Sequence, residues 1–220
     1  MRCKGFLFDL DGTLVDSLPA VERAWCHWAD RFAIPHQDVL DFIHGKQAIT
    51  SLRHFMSGAS DDEVQREFYT LEAIEASDTE GITALPGALA LLNFLTEHQI
   101  PWAIVTSGSV PVASARHKAG GLPQPAVFVT AEQVKRGKPE PDPYLLGAKL
   151  LGLDPADCAV VEDAGAGVLS GLAAGCRVIA VNVPSDVPCL NDVDLNLSGL
   201  NQLTLTVLPG GIVEAKTYEN

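Results

Sequence analysis

The sequence predicts an α/β protein: a Rossmann-like, doubly wound parallel sheet core carrying an inserted α-helical domain. Three observations predict it. Short apolar runs rich in Val, Ile and Phe recur at "GFLFDL", "PWAIVT", "AVFVT", "CAVVED" and "RVIAVNV", each next to a segment of helical spacing. Between the first two runs lies a long stretch, about residues 17–83, that reads as helix after helix. The unusual polar residues gather at the ends of the apolar runs, which is where ligands bind in an open parallel sheet.

The elements follow in order. "GFLFDL" is the first strand and ends in Asp9 and Asp11 with Gly12 directly behind. The insertion then offers "LPAVERAWCHWADRF", "HQDVLDFIH", "AITSLRHFMSG" and "SDDEVQREFYTLEAIEAS". Apolar positions recur every three and four residues in these helices, so each has one face to bury. Ser60 followed by Glu63 is a capping-box start signal for the fourth. "LPGALALLNFLTEH" marks the return to the sheet, with Pro86 expected in the first turn of a helix. The remaining strands open at Pro101 and after Pro155, and "LTLTVLPGGIVEA" alternates and turns at Pro209–Gly210–Gly211 as a terminal hairpin. The domains expected are therefore a core of residues 1–16 and 84–220 and an insertion of residues 17–83.

Composition bounds the function. The chain has 220 residues, 47% of them hydrophobic, enough for one substantial core plus an insertion. A net charge of −13, with no run of Lys or Arg to offset it, argues against nucleic acid and anionic membrane as partners. No apolar stretch approaches the roughly 20 residues that span a bilayer, and "MRCKGFLFDLDG" lacks the features of a signal peptide, so a cytoplasmic location is expected. A monomer is expected as well. Five scattered cysteines without a C-x-x-C pair read as reduced small hydrophobes. "HGKQ" fails as a P-loop because Leu40 stands where glycine is required and Gln47 where Ser or Thr is required. "GAGVLSG" has one residue too many for a dinucleotide fingerprint and follows acidic residues that would repel a pyrophosphate.

Four places after strand ends carry candidate chemistry: Asp9 and Asp11, then Thr106 and Ser107, then Lys138 in "KRGKPEPDPY", then Glu162 and Asp163. Each alone is an ordinary turn or cap residue, but together they make a site. The segments "DLDGTLVDS", "VTSG", "GKPEPDPYLLGA" and "VVEDAGAGVLSGLAAG" resemble the four ordered motifs of the haloacid dehalogenase superfamily of phosphohydrolases. The insertion resembles the helical cap of the beta-phosphoglucomutase-like branch. The wording of "IHGKQAI", "TSGS" and "VKRGKPEPDPYLLGA" is similar to phosphatases of sugar phosphates and glycerol phosphate, including those acting on deoxyglucose phosphate.

The resemblance implies a Mg²⁺-dependent phosphatase for small sugar phosphates. It makes Asp9 the nucleophile that takes the phosphoryl group and Asp11 the general acid and base. For both carboxylates to serve one site the chain must leave the regular strand, and Gly12 permits the turn. Mg²⁺ would take oxygens from Asp9, the Asp11 carbonyl and Asp163, with Glu162 direct or at one remove. Lys138 would neutralise charge, Thr106 would bond a phosphoryl oxygen, and the backbone of the Ser107 turn would take others. In the cap, His44, Gly45 and Lys46 are expected over the site as choosers of the sugar; the competing reading has Lys46 opening the next helix as a surface charge. Asp11 disfavours dehalogenation. Ser109–Val110 and Ala48 stand where family mutases place the Lys-Asn pair and arginine that hold a second phosphate, which favours a hydrolase over a phosphomutase. A phosphoacceptor switch has no use for a cap, and an inactive scaffold would not keep every residue the chemistry needs.

Overall fold

The computed structural model describes residues 1–218. A short strand β1 (Arg2–Cys3) precedes β2 (Gly5–Phe8), all four residues of which are buried. After β3 (Val15–Asp16) come four helices, α1 (Leu18–Arg31), α2 (His36–Ile43), α3 (Ala48–Phe55) and α4 (Asp61–Ser77). The chain returns through β4 (Thr83–Ala84) and α5 (Ala88–Glu97) to β5 (Trp102–Val105), α6 (Val110–Ala119) and β6 (Val127–Val129). Then follow α7 (Asp142–Leu151), β7 (Cys158–Glu162), α8 (Gly165–Ala173), β8 (Arg177–Val181), β9 (Leu195–Leu197), β10 (Leu203–Leu208) and β11 (Ile212–Thr217).

Six strands form the main sheet in the order β6-β5-β2-β7-β8-β9, and every neighbouring pair is parallel. Side-chain alternation splits β2 between two cores. Phe6 and Phe8 face a cluster with Leu91, Leu92 and Leu95 of α5 and Ala113 of α6, while Leu7 faces one with Tyr144 and Ala148 of α7 and Val168 of α8. Helices therefore cover both faces, as the doubly wound reading expects. From β2 the chain winds outward to β5 and β6, then crosses to β7 and winds the other way. The crevice where that order reverses lies beyond the carboxyl ends of β2 and β7.

The four inserted helices have a core of their own, built from Trp25, Trp28, Val39, Ile43, Leu52, Val64 and Leu71. The Ser60–Glu63 capping box opens α4 as its sequence signals. The chain leaves and re-enters the sheet layer through β3 and β4, which pair antiparallel with Val15 opposite Ala84 and Asp16 opposite Thr83. Among the described residues, no helix is long and apolar enough to cross a membrane.

One local expectation changes and two features are added. Pro86 is not in the first turn of α5: Gly87 caps that helix at φ 90°, and Pro86 lies in the turn before it. A side chain at Gly87 would come 2.7 Å from the backbone nitrogen of Asn201, so the turn is held by a close backbone approach. The terminal hairpin of β10 and β11 forms, but it recruits β1 as a third strand through Arg2 opposite Glu214 and Cys3 opposite Val213. The edge strand β9 has only three residues, "LNL", too short for alternation to reveal it.

Leu71 on α4 is 1% exposed at the centre of the inserted cluster. Leu71→Ala is expected to cost about 2–5 kcal/mol in chemical denaturation, the range for a buried leucine that leaves a cavity. A loss below about 1 kcal/mol would contradict a well-packed insertion.

Candidate active site

The carboxyl ends of β2 and β7 bring three carboxylates together. Asp9, Glu162 and Asp163 each offer an oxygen within 4.8 Å of the others'. Strand β2 ends at Phe8, and the loop that follows turns back on itself, with Leu14 and Val15 donating to the Leu10 carbonyl and Gly12 to that of Val15. Gly12 has φ 81°, and an added Cβ would stand 2.1 Å from Asp163 Oδ2, so glycine is required by both conformation and contact.

Lys138 lies between two of these acids with no exposed side-chain surface. Its Nζ donates to Asp9 Oδ1 at 2.6 Å, to Glu162 Oε1 at 2.6 Å and to the Val105 carbonyl at 3.0 Å. All three of its N–H donors are therefore engaged by the protein. Burial opposes its charge, but Asp9 and Glu162 outweigh that and hold the ammonium above its ordinary pKa. Tyr144 Oη donates to the same Glu162 oxygen at 2.6 Å.

The opposite sign prevails on the acids. Burial, then the charge of Glu162, push the Asp9 carboxyl up to about 7 against the pull of Lys138. Asp163 is raised for the same reasons, burial first and then Asp9 and Glu162, although Thr13 Oγ1 donates to its Oδ1 at 3.1 Å. The cluster is short of positive charge, and its donors are all hard oxygens. Both properties suit a divalent cation such as Mg²⁺.

Asp11 sits apart from that trio. Ser17 Oγ donates to its Oδ1 at 2.6 Å, and Arg116 Nη1 pairs with the same oxygen at 3.0 Å. Arg116 also donates from Nη2 to Glu75 Oε1 at 2.8 Å, and Glu75 belongs to α4 of the inserted helices. Burial disfavours this guanidinium, but its two carboxylate partners raise its pKa above the ordinary value.

These groups open on a cavity of about 490 Å³ between the sheet layer and the inserted helices, in the range that encloses a small molecule. Asp9, Asp11, Thr106, Ser107 and Asp163 line its floor, and His44, Gly45 and Lys46 line its upper wall. Thr106 Oγ1 accepts from the Gly108 N–H at 3.0 Å. Ser107 Oγ donates to the Gly45 carbonyl at 2.9 Å, and Gln47 Nε2 to the Ala131 carbonyl at 3.2 Å, so the two layers are bonded to each other within the cavity lining. Gly45 has φ 76°, the tight turn expected of it. Lys46 precedes α3 rather than opening it, because Gln47 takes the N-cap position. The Lys46 Nζ donates to the Phe42 carbonyl and lies 3.8 Å from the centre of the Phe42 ring, and burial lowers its pKa. His44 is similarly lowered by burial and lies 3.7 Å from Glu22.

A family profile for haloacid dehalogenase-like hydrolases matches residues 3–175. The chain belongs to that family. It is 71% identical to hexitol phosphatase A of Escherichia coli K12 over 213 residues, covering 97% of this chain and 99% of the relative. It is 32% identical to glycerol-1-phosphate phosphohydrolase 2 of Saccharomyces cerevisiae, covering 94% and 86%. The crystal structure of beta-phosphoglucomutase from Clostridium difficile superposes with a TM-score of 0.82 at 23% identity, covering 92% and 93%, and so shares the fold.

Sequence reasoning passed over Thr13, Ser17, Glu75, Arg116 and Tyr144. Ser17 and Thr13 lie inside "DLDGTLVDS" and Tyr144 inside "GKPEPDPYLLGA", so attention to those segments' remaining polar residues reaches them. Glu75 and Arg116 are single charges in ordinary helices, and only the fold brings them together.

Tyr144→Phe removes one donor from a buried carboxylate and nothing else of that size. It is expected to cost about 1–3 kcal/mol of stability by denaturant titration. A neutral result would mean that Glu162 does not depend on the phenol.

Proposed function

We propose that this chain is a Mg²⁺-dependent phosphatase that hydrolyses phosphate monoesters of small sugars and sugar alcohols through phosphoryl transfer to Asp9. The observation that carries this reading is the placement of Asp9 at the switch point of the sheet, on the cavity floor, with Lys138 on one oxygen and Asp163 close by. The likeness to a hexitol phosphatase supports a sugar-alcohol phosphate as substrate; that the chain acts in the cytoplasm as a monomer is the expectation drawn from the sequence.

The chemistry divides one slow displacement into two. The Asp9 carboxylate attacks phosphorus and the bond to the sugar oxygen breaks, while Asp11 gives that oxygen a proton. Asp11, now ionised, takes a proton from a water molecule, whose oxygen attacks the same phosphorus. The bond to Asp9 breaks, inorganic phosphate leaves, and both carboxyl groups regain their starting states. Mg²⁺ held by Asp9, Asp163 and the carbonyl of Asp11 would supply the positive charge that lets a dianionic phosphoryl group approach these acids. Glu162, saturated at Oε1 by Lys138 and Tyr144, serves chiefly to fix Lys138. Lys138 contributes charge rather than a free donor, because its three N–H groups are already placed. That leaves Thr106 and the backbone of the Ser107 turn as donors to phosphoryl oxygens.

The competing mutase reading needs a second phosphate grip. Arg116, which lines the cavity, is already paired with Asp11 and Glu75 and so is not free to grip a second phosphate. A site that grips one phosphate suits a hydrolase. His44, Gly45 and Lys46 face the part of the cavity left for the sugar and so bear on its choice.

Phosphate release should be measured across hexitol, hexose, deoxyhexose and glycerol phosphates. Turnover is expected with Mg²⁺, none in excess chelator, and a loss of at least about a thousandfold in folded Asp9→Asn protein. Undiminished turnover in chelator would reject the metal, and turnover by Asp9→Asn would reject the nucleophile.

A further inference from the structure

Among the described residues, Arg116 and Glu75 are the buried charges that the proposed reaction leaves without a task. The Arg116 side chain is 5% exposed and that of Glu75 7%, so neither is a solvated surface group. The guanidinium is shared between three parts of the chain: it projects from α6, pairs with Asp11 after β2, and is held by Glu75 from α4. Its Nε finds no acceptor, so its placement rests on those two carboxylates.

A guanidinium is a rigid planar fork, and fixing one nitrogen fixes the direction of the others. With Nη2 on Glu75, Nη1 points at Asp11 Oδ1. Ser17 addresses that same oxygen. Both neighbours therefore engage Oδ1, and the second carboxyl oxygen is the one left to carry a proton into the cavity that Asp11 lines. Lifting α4 off the site would take Glu75 away and free the fork to rotate.

We propose that Arg116 is a positioning residue for Asp11, and that Glu75 makes its setting conditional on the inserted helices being closed over the cavity. The inference rests on the reading of Asp11 as proton donor. It assigns to a helix of the insertion a part in proton delivery, in addition to covering the substrate. A purely structural tie between α4 and α6 would be made of the same atoms, so the test must separate the two.

The experiment compares kcat/KM of the full chain for two esters: glycerol phosphate, whose alkoxide needs a proton, and p-nitrophenyl phosphate, whose phenolate does not. Asp11→Asn is the reference and should depress the alkyl ester far more than the aryl ester. If it does not, the assignment of Asp11 itself fails, and this inference with it. Glu75→Gln keeps shape and removes charge, and is expected to depress the alkyl ester at least about tenfold more than the aryl ester, part of what a general acid contributes. Arg116→Lys keeps charge and removes the fork, and should show the same selectivity, which guards against a single variant that folds poorly. In an Asp11→Asn background, Glu75→Gln should cause no further selective loss. Parallel losses on both esters, unchanged rates in both variants, or an effect that persists undiminished without Asp11 would overturn the proposal while leaving Asp11 in place.

Discussion

The arrangement depends on one buried ammonium group. Lys138 reaches between the ends of β2 and β7 and joins Asp9 to Glu162 at 2.6 Å each, with no solvent on its side chain. Without it those two acids would face each other and Asp163 across the switch point of the sheet. Removing one partner from such a buried pair generally costs about 3–5 kcal/mol, because the remaining charge is stranded. Replacing the whole set by apolar residues would often be neutral, so the cluster is retained for what it does rather than for stability. Burial and mutual repulsion raise the pKa values of Asp9 and Asp163, a setting that the proposed divalent cation would relieve.

Chemistry and selection occupy different layers. The sheet layer supplies the acids, Lys138 and Thr106, which in the proposed reaction serve the part common to every phosphate monoester. The inserted helices supply His44, Gly45 and Lys46 to the cavity lining, where the proposed reading puts the alcohol that differs between substrates. The two layers meet through polar contacts: Ser107 with Gly45, Gln47 with Ala131, and Arg116 with Glu75. The first two can be exchanged for water, which suits a surface that must admit and release a ligand, whereas the third is a buried ion pair.

Much of this was legible in the sequence because it has a short-range signature. The five apolar runs all become strands of the main sheet, since buried parallel strands read as unbroken Val, Ile and Phe. Ser60 and Glu63 announce α4 through a contact three residues apart. Where the sequence misled, the cause was a longer-range contact. Pro86 precedes its helix because Gly87 packs on the backbone at Asn201. Arg116 and Glu75 are 41 residues apart on separate helices, and neither sits in a motif.

The central claim is that a carboxylate, not water, first takes the phosphoryl group. The most direct measurement is the stereochemical course at phosphorus, followed with a substrate whose transferred phosphoryl group is made chiral by oxygen isotopes. Two successive in-line displacements, first by Asp9 and then by water, predict retention of configuration in the released phosphate. Inversion would mean a single direct attack by water and would contradict the account.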